Sequence, residues 1–322
     1  MKNKLLPTTV VGSHPKPKWL NHLIVEFEQG NLDKGVMESA FNDSVRAVVK
    51  VQELAGLDIF WDGEMRREEM TSYFAENIDG FTVYGPVRVW GNNYYKKPAI
   101  TGELRYRDEF SLSDYRFLSS LTDRGIKVPL TGPYTIVDWS FNEHYNTKED
   151  AVYALAEVIN EELKALVAAG ADFIQIDDPA ISTHVDELEV AKKSVEIATK
   201  GVKAYIGLHI CYGDYSKLYP QVLDFPVDQL DFELANKNFE DIKIFREHDF
   251  TKDIGFGCVD VHTKRVESVA EIKENITKSF EMVEPKQVYV DPDCGVKLLS
   301  PQKAFEKLKN MCDAAEELRE EL

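Results

Sequence analysis

Cysteine is scarce in this chain, with four in 322 residues, at Cys211, Cys258, Cys294 and Cys312. Four is too few for a disulfide framework at this length, so metal-binding or reactive roles become the alternatives to plain burial. Basic residues are outnumbered: 38 Lys and Arg stand against 56 Asp and Glu, a net charge of −18. Affinity for phosphate comes from clustered Lys and Arg, so this balance excludes a general nucleic-acid binder and disfavours an anionic membrane surface. No apolar run approaches the ~18 residues of a transmembrane helix. Pro7 breaks the apolar stretch of MKNKLLPTTVVGSHP and no small-residue cleavage site follows, so the expected location is the cytoplasm. The phosphate-cradling and nucleophile motifs GxGxxG, GxxxxGK[ST] and GxSxG do not occur, which leaves a dinucleotide enzyme or NTPase without support. Linkers rich in Pro and Gly, internal repeats and low-complexity tracts are also missing. Residues 1–322 are therefore expected to form a single domain.

What the chain does contain is a regular alternation. Short apolar runs at 8–12, 57–63, 127–132, 171–178, 204–211, 229–235, 253–260 and 287–295 read as strands buried on both faces. Between them, 150–169, 264–283 and 301–321 place apolar residues at spacings of three and four. Gly170 suits a helix end, and Ser300 followed by Pro301 suits a helix start. Eight strands alternating with helices predict an α/β fold, a (β/α)₈ TIM barrel. Residues 80–107 break the pattern. They alternate apolar and polar positions around Gly91-Asn92-Asn93, which predicts a β-hairpin excursion after strand 2.

Barrel chemistry sits at the carboxyl ends of strands. Polar residues gather at those positions, including Ser13, Glu64, Asp177, His209, Cys211, Glu233, Asp260, His262 and Cys294, with Trp139 just beyond strand 3. The most specific signal is His209-x-Cys211. Residues two apart on a strand point to one side, so a histidine and a thiol converge without a turn. With Cys294 and Glu233 at other strand ends, four potential ligands ring one barrel mouth, and two thiolates select Zn²⁺ over Mg²⁺ or Ca²⁺. The plainer reading is a small buried hydrophobe, which suits Cys258 and Cys312. For Cys211 and Cys294, beside polar Gly-rich segments, both readings stand. Asp178 before Pro179 reads as a turn or cap residue. Asp177 ends an apolar run and needs a partner or a ligand. Glu64 has Arg66 and Arg67 close by, so a structural ion pair competes with a binding role. Trp139 is either core or a ligand wall.

Several segments carry a family resemblance in one order: VVGSHPKP (10–17), DGEMRREEMTSYFAENIDGF (62–81), PLTGPYTIVDWSF (129–141), IQIDDPA (174–180), HICYGDY (209–215), the LDFE ending at Glu233, DVHTKRVES (260–268) and DPDCG (291–295). The chain resembles, nearly end to end, the C-terminal catalytic barrel of cobalamin-independent methionine synthase. That resemblance implies one catalytic zinc held by His209, Cys211, Glu233 and Cys294. It implies homocysteine contacts at Ser13, Glu64 and Asp177, and a histidine near the reacting methyl at His262. Asp260, two residues earlier, would orient the His262 ring for proton management. The implied activity is transfer of a methyl group to the homocysteine thiol, giving methionine.

Departures bear on the donor. Folate-using members have two barrels, and this chain has one. Their Arg-Cys pair before Lys-Pro-Pro is replaced here by GNNYYKKPA (91–99), and Thr183 aligns with their pterin-reaching acid. Trp139, which would stack on a pterin, is kept. The resemblance thus implies the short, single-barrel relatives and a methylcorrinoid donor, free or protein-bound, ahead of methyltetrahydrofolate. A zinc alkyltransferase acting on another thiol such as coenzyme M is an alternative, though a sulfonate would prefer Arg or Lys where Ser13, Glu64 and Asp177 stand. A non-catalytic zinc-binding partner subunit is another.

Overall fold

Ten strands, most of them separated by helical segments, run through the computed structural model, which describes residues 4–90 and 93–322. They are β1 (Ile59–Phe60), β2 (Ile78–Trp90), β3 (Asn93–Tyr106), β4 (Gly125–Thr131), β5 (Phe141–Asn142), β6 (Phe173–Asp177), β7 (Tyr205–Ile210), β8 (Gln229–Phe232), β9 (Asp253–Val259) and β10 (Val288–Pro292). Seven make one sheet in the order β1-β4-β6-β7-β8-β9-β10, and β2-β3-β5 make a second. The chain divides into two compact units. One comprises the residues up to Arg66, Phe117–Lys127 and Phe232–Leu322; the other comprises Arg67–Arg116 and Val128–Asp231.

In the first unit β1 pairs parallel with the start of β4, Ile59 against Gly125, and β9 pairs parallel with β10. The strand expected at 8–12 shrinks to a single bridge, Thr8 against Val290. Backbone bonds still tie this segment on both sides: Thr9 N–H donates to Val290 O (3.0 Å) and Ile59 N–H to Thr8 O (3.0 Å). The Asp58 carboxylate takes the Thr8 amide at 3.0 Å, at the start of the segment. Phe60, Phe232, Ile254, Phe256, Val288 and Val290 are fully buried here. Burying side chains of this kind contributes about 1.5–3 kcal/mol each. The helix Pro301–Glu321 starts as the sequence predicts, with Ser300 accepting from Lys303 N–H and Pro301 in the first turn. The helical stretch expected over 264–283 begins later, at Val269–Thr277, because Ser268 and Glu271 form a reciprocal capping box.

In the second unit β6 and β7 pair parallel in register, Asp177 against His209. Val128, Leu130, Ile174, Ile176, Leu208, Ile210 and Leu230 form its buried strand core. β2 and β3 run antiparallel, with Phe81 against Ile100 and Pro86 against Lys96, and β5 adds to β3. The predicted turn residues Gly91 and Asn92 lie outside the described residues. The helix Lys148–Ala168 matches the periodic stretch, and Gly170 follows it at φ +106°. Among the described residues no helix is long and apolar enough to cross a membrane.

Candidate active site

In the second unit, the pairing of β6 with β7 brings Asp177 and His209 into one register at the strand ends. His209 is buried, and its Nδ1 lies 3.0 Å from Asp231 Oδ1, also buried. A carboxylate on one ring nitrogen fixes the tautomer and turns the other nitrogen into a basic ligand, an arrangement common behind metal-bound histidines. Cys211 follows β7, two residues on, and is buried. The sequence pattern marked His209 and Cys211 but missed Asp231. The signal was present, because Asp231 and Glu233 are two apart in LDFE and strand alternation puts them on one side. Asp177 accepts from Gln175 Nε2 at 2.6 Å, and its carbonyl accepts from Gly132 N–H at 2.7 Å. Asp178 stands at the start of the turn Pro179–Thr183 without a side-chain cap bond there; its carboxylate accepts instead from Thr135 N–H at 2.7 Å and Thr135 Oγ1 at 2.5 Å, in the first turn of the helix Pro133–Asp138. Trp139 is half-buried at the end of the short helix Pro133–Asp138.

In the first unit, Glu233 is fully buried and accepts from His262 Nε2–H at 2.6 Å. Asn236 Nδ2 also donates to Glu233 Oε1. That carboxylate holds the His262 ring above the ordinary imidazole range. Asp260 does not play the part expected of it. Its Oδ1 accepts the backbone N–H of His262 at 2.8 Å, closing a local turn, while the ring turns to Glu233. A carboxylate two residues before an amide readily closes such an Asx turn, and this competes with reaching the side chain.

Asp293, just before Cys294, accepts three backbone amides, from Leu234 (2.9 Å), Ala235 (2.8 Å) and Asn236 (2.7 Å). One carboxylate therefore ties the Cys294 segment to the turn that follows Glu233. Cys294 is half-buried, whereas Cys258 and Cys312 are buried. Desolvation pushes the Cys258 thiol well up and the Cys312 thiol to about 12, so both behave as the inert hydrophobes expected of them.

Ser13 packs directly against Gly295: a Cβ on that glycine would lie 2.0 Å from Ser13 Oγ. Val296 N–H donates to Ser13 O at 2.8 Å, locking the two segments together. Glu64 has φ +58°, a left-handed conformation rarely taken by a side-chain-bearing residue, and its N–H donates to Asp62 Oδ1 at 2.8 Å. Backbone strain of this kind collects at functional sites. Arg66 bonds Glu38 and Asn42, which are its structural partners here. His14 was passed over in the sequence. Its ring is buried and its pKa is lowered to about 4 by desolvation, so it stays neutral at physiological pH.

The chain matches the model of a family described as cobalamin-independent synthase, catalytic domain, over residues 6–317. It belongs to that family. A methionine synthase from Sulfolobus acidocaldarius is 45% identical over 99% of this chain and 94% of its own length. One from Thermococcus kodakarensis is 46% identical over 100% and 96%. Among solved structures, a B12-independent methionine synthase from Shewanella sp. W3-18-1, determined in complex with selenomethionine, superposes with a TM-score of 0.89 at 28% identity, covering 99% of each chain. The chain spans 94% and 96% of the length of the Sulfolobus and Thermococcus methionine synthases.

Proposed function

We propose that this protein methylates the thiol of homocysteine to give methionine, with zinc held by His209, Cys211, Glu233 and Cys294. The observation that carries this is the His209–Asp231 pair beside Cys211, because a buried carboxylate behind a histidine next to a thiol is a donor set suited to zinc. Bound zinc supplies a thiolate at neutral pH from a thiol whose free pKa is about 8.5. The remaining work falls to the chain. Glu64 and Asp177 receive the amino group of the amino acid. Ser13 and neighbouring backbone donors receive its carboxylate. His262, whose ring meets Glu233 at 2.6 Å, stands near the reacting methyl, and Trp139 forms a wall of the donor site. Holding thiol and methyl in line accounts for much of the acceleration. The segment at 8–12, which pairs only through the Thr8–Val290 bridge, is read as the eighth strand of a (β/α)₈ fold.

The family description, a cobalamin-independent synthase, favours methyltetrahydrofolate as donor over the methylcorrinoid expected from the sequence. One observation still favours the corrinoid. Thr183, aligned with the pterin-reaching acid of folate enzymes, donates its hydroxyl to Ala180 O at 3.0 Å and offers no acid. Folate nitrogen must be protonated to leave; a corrinoid leaves as cob(I)alamin and needs no proton. Incubation of zinc-loaded protein with homocysteine and each donor in turn, with methionine quantified, separates the two. Turnover with methyltetrahydrofolate alone establishes the folate reading, and turnover with methylcobalamin alone establishes the corrinoid one. Methionine from neither overturns the proposed activity.

A further inference from the structure

The first unit buries a lysine that no part of the proposed chemistry uses. Lys307 lies in the helix Pro301–Glu321 with no exposed surface, and its Nζ is 2.6 Å from Glu267 Oε2, itself buried. The same ammonium donates to Asp260 O at 2.8 Å. The other oxygen of Glu267 accepts the Asp260 N–H at 3.2 Å. One ion pair therefore grips the two peptide groups that flank Asp260. Asn310, one turn further along the helix, donates to Glu267 O at 2.7 Å and fixes the glutamate's own backbone.

From Asp260 the connection continues. Its side chain holds the His262 amide at 2.8 Å, and the His262 ring reaches Glu233 at 2.6 Å. The segment borders a groove of about 390 Å³ lined by Asn236, Asp260, Thr263, Arg265 and Glu267 among others. The His262 side chain keeps 31% of its surface exposed.

A buried ion pair is a poor device for stability, since apolar residues of like volume often serve as well or better. What it provides is direction: a charged group with several donors fixes a backbone at defined points. We propose that the Lys307–Glu267 pair is a positioning device for His262, setting residues 260–262 so that the imidazole meets Glu233. Kinetically the inference rests on the methyl-transfer reading; geometrically it does not.

The test is the paired replacement Lys307→Met with Glu267→Leu, which leaves no unpaired buried charge and is expected to fold. A crystal structure of this variant should show the His262 ring displaced from Glu233. Its kcat should fall on the order of tenfold with the KM for homocysteine unchanged, since the substrate contacts are untouched. Added to His262→Ala, the paired replacement should cause no further loss, because both act through one ring. A His262–Glu233 contact retained in the folded variant overturns the proposal. So does a loss of kcat that multiplies with that of His262→Ala. Wild-type protein that makes no methionine defeats the functional reading instead, and the crystal structure then decides the positioning claim alone.

Discussion

Two histidines divide the candidate site between two kinds of support. His209 sits at the end of a strand, buried, with its ring braced by a carboxylate from the next strand at 3.0 Å. His262 sits on a loop, partly exposed, braced at its backbone by Asp260 and at its ring by Glu233. Strand geometry sets the first; a relay of side chains sets the second. In the roles proposed for them, a zinc ligand has to stay in place, whereas a group serving a reacting methyl has to meet a substrate that comes and goes. The first arrangement should fail all at once, and the second by degrees.

The largest effect should come from the strand side. His209→Ala or Cys211→Ser should leave the protein folded but abolish tightly bound zinc and methionine formation, checked by metal analysis beside the activity assay. Asp231→Asn should retain the ligands yet weaken zinc affinity by about ten- to a hundredfold, read by competition with a chelator. On the loop side, His262→Ala should lower kcat by roughly 10²–10⁴ while the zinc content stays at the wild-type level. If zinc is lost together with the rate, the distinction between the two histidines collapses.

A third histidine sharpens the comparison through stability. His14 is held neutral, with its folded pKa lowered to about 4 from 6.5. Between those values the unfolded chain binds a proton that the folded chain does not, so this contribution is complete above pH 6.5 and is lost as pH falls toward 4. The loss should be about 2 kcal/mol by pH 5, measured by urea unfolding at a series of pH values. His14→Phe should flatten that dependence. The smallest effect concerns Glu64, whose positive φ costs about 1 kcal/mol. Glu64→Gly should raise stability by no more than that while raising the KM for homocysteine, and an unchanged KM would remove Glu64 from the amino-group site.

Much of this was readable in the chain because strands buried on both faces read as short apolar runs, and seven of the eight runs fall within a few residues of observed strands. Strand alternation then set His209 and Cys211 on one side. The same rule, applied to LDFE, would have found Asp231. Where local chemistry competes with periodicity, the pattern misled. The turn closed by Asp260 occupies a carboxylate oxygen expected to orient the His262 ring. The Lys307–Glu267 pair joins positions forty residues apart, beyond the reach of any local motif. It did leave a trace: Lys307 falls on the helix stripe shared by Ala304, Met311 and Leu318, and a lysine on an apolar stripe needs a buried partner.

The central claim is that zinc held at this site makes homocysteine a nucleophile. It is tested most directly by following bound zinc and methionine formation in one sample as the metal is stripped with a chelator and then restored. The account predicts that the two fall and recover together, with one zinc per chain at full rate. Methionine formed at an undiminished rate by zinc-free protein would contradict it.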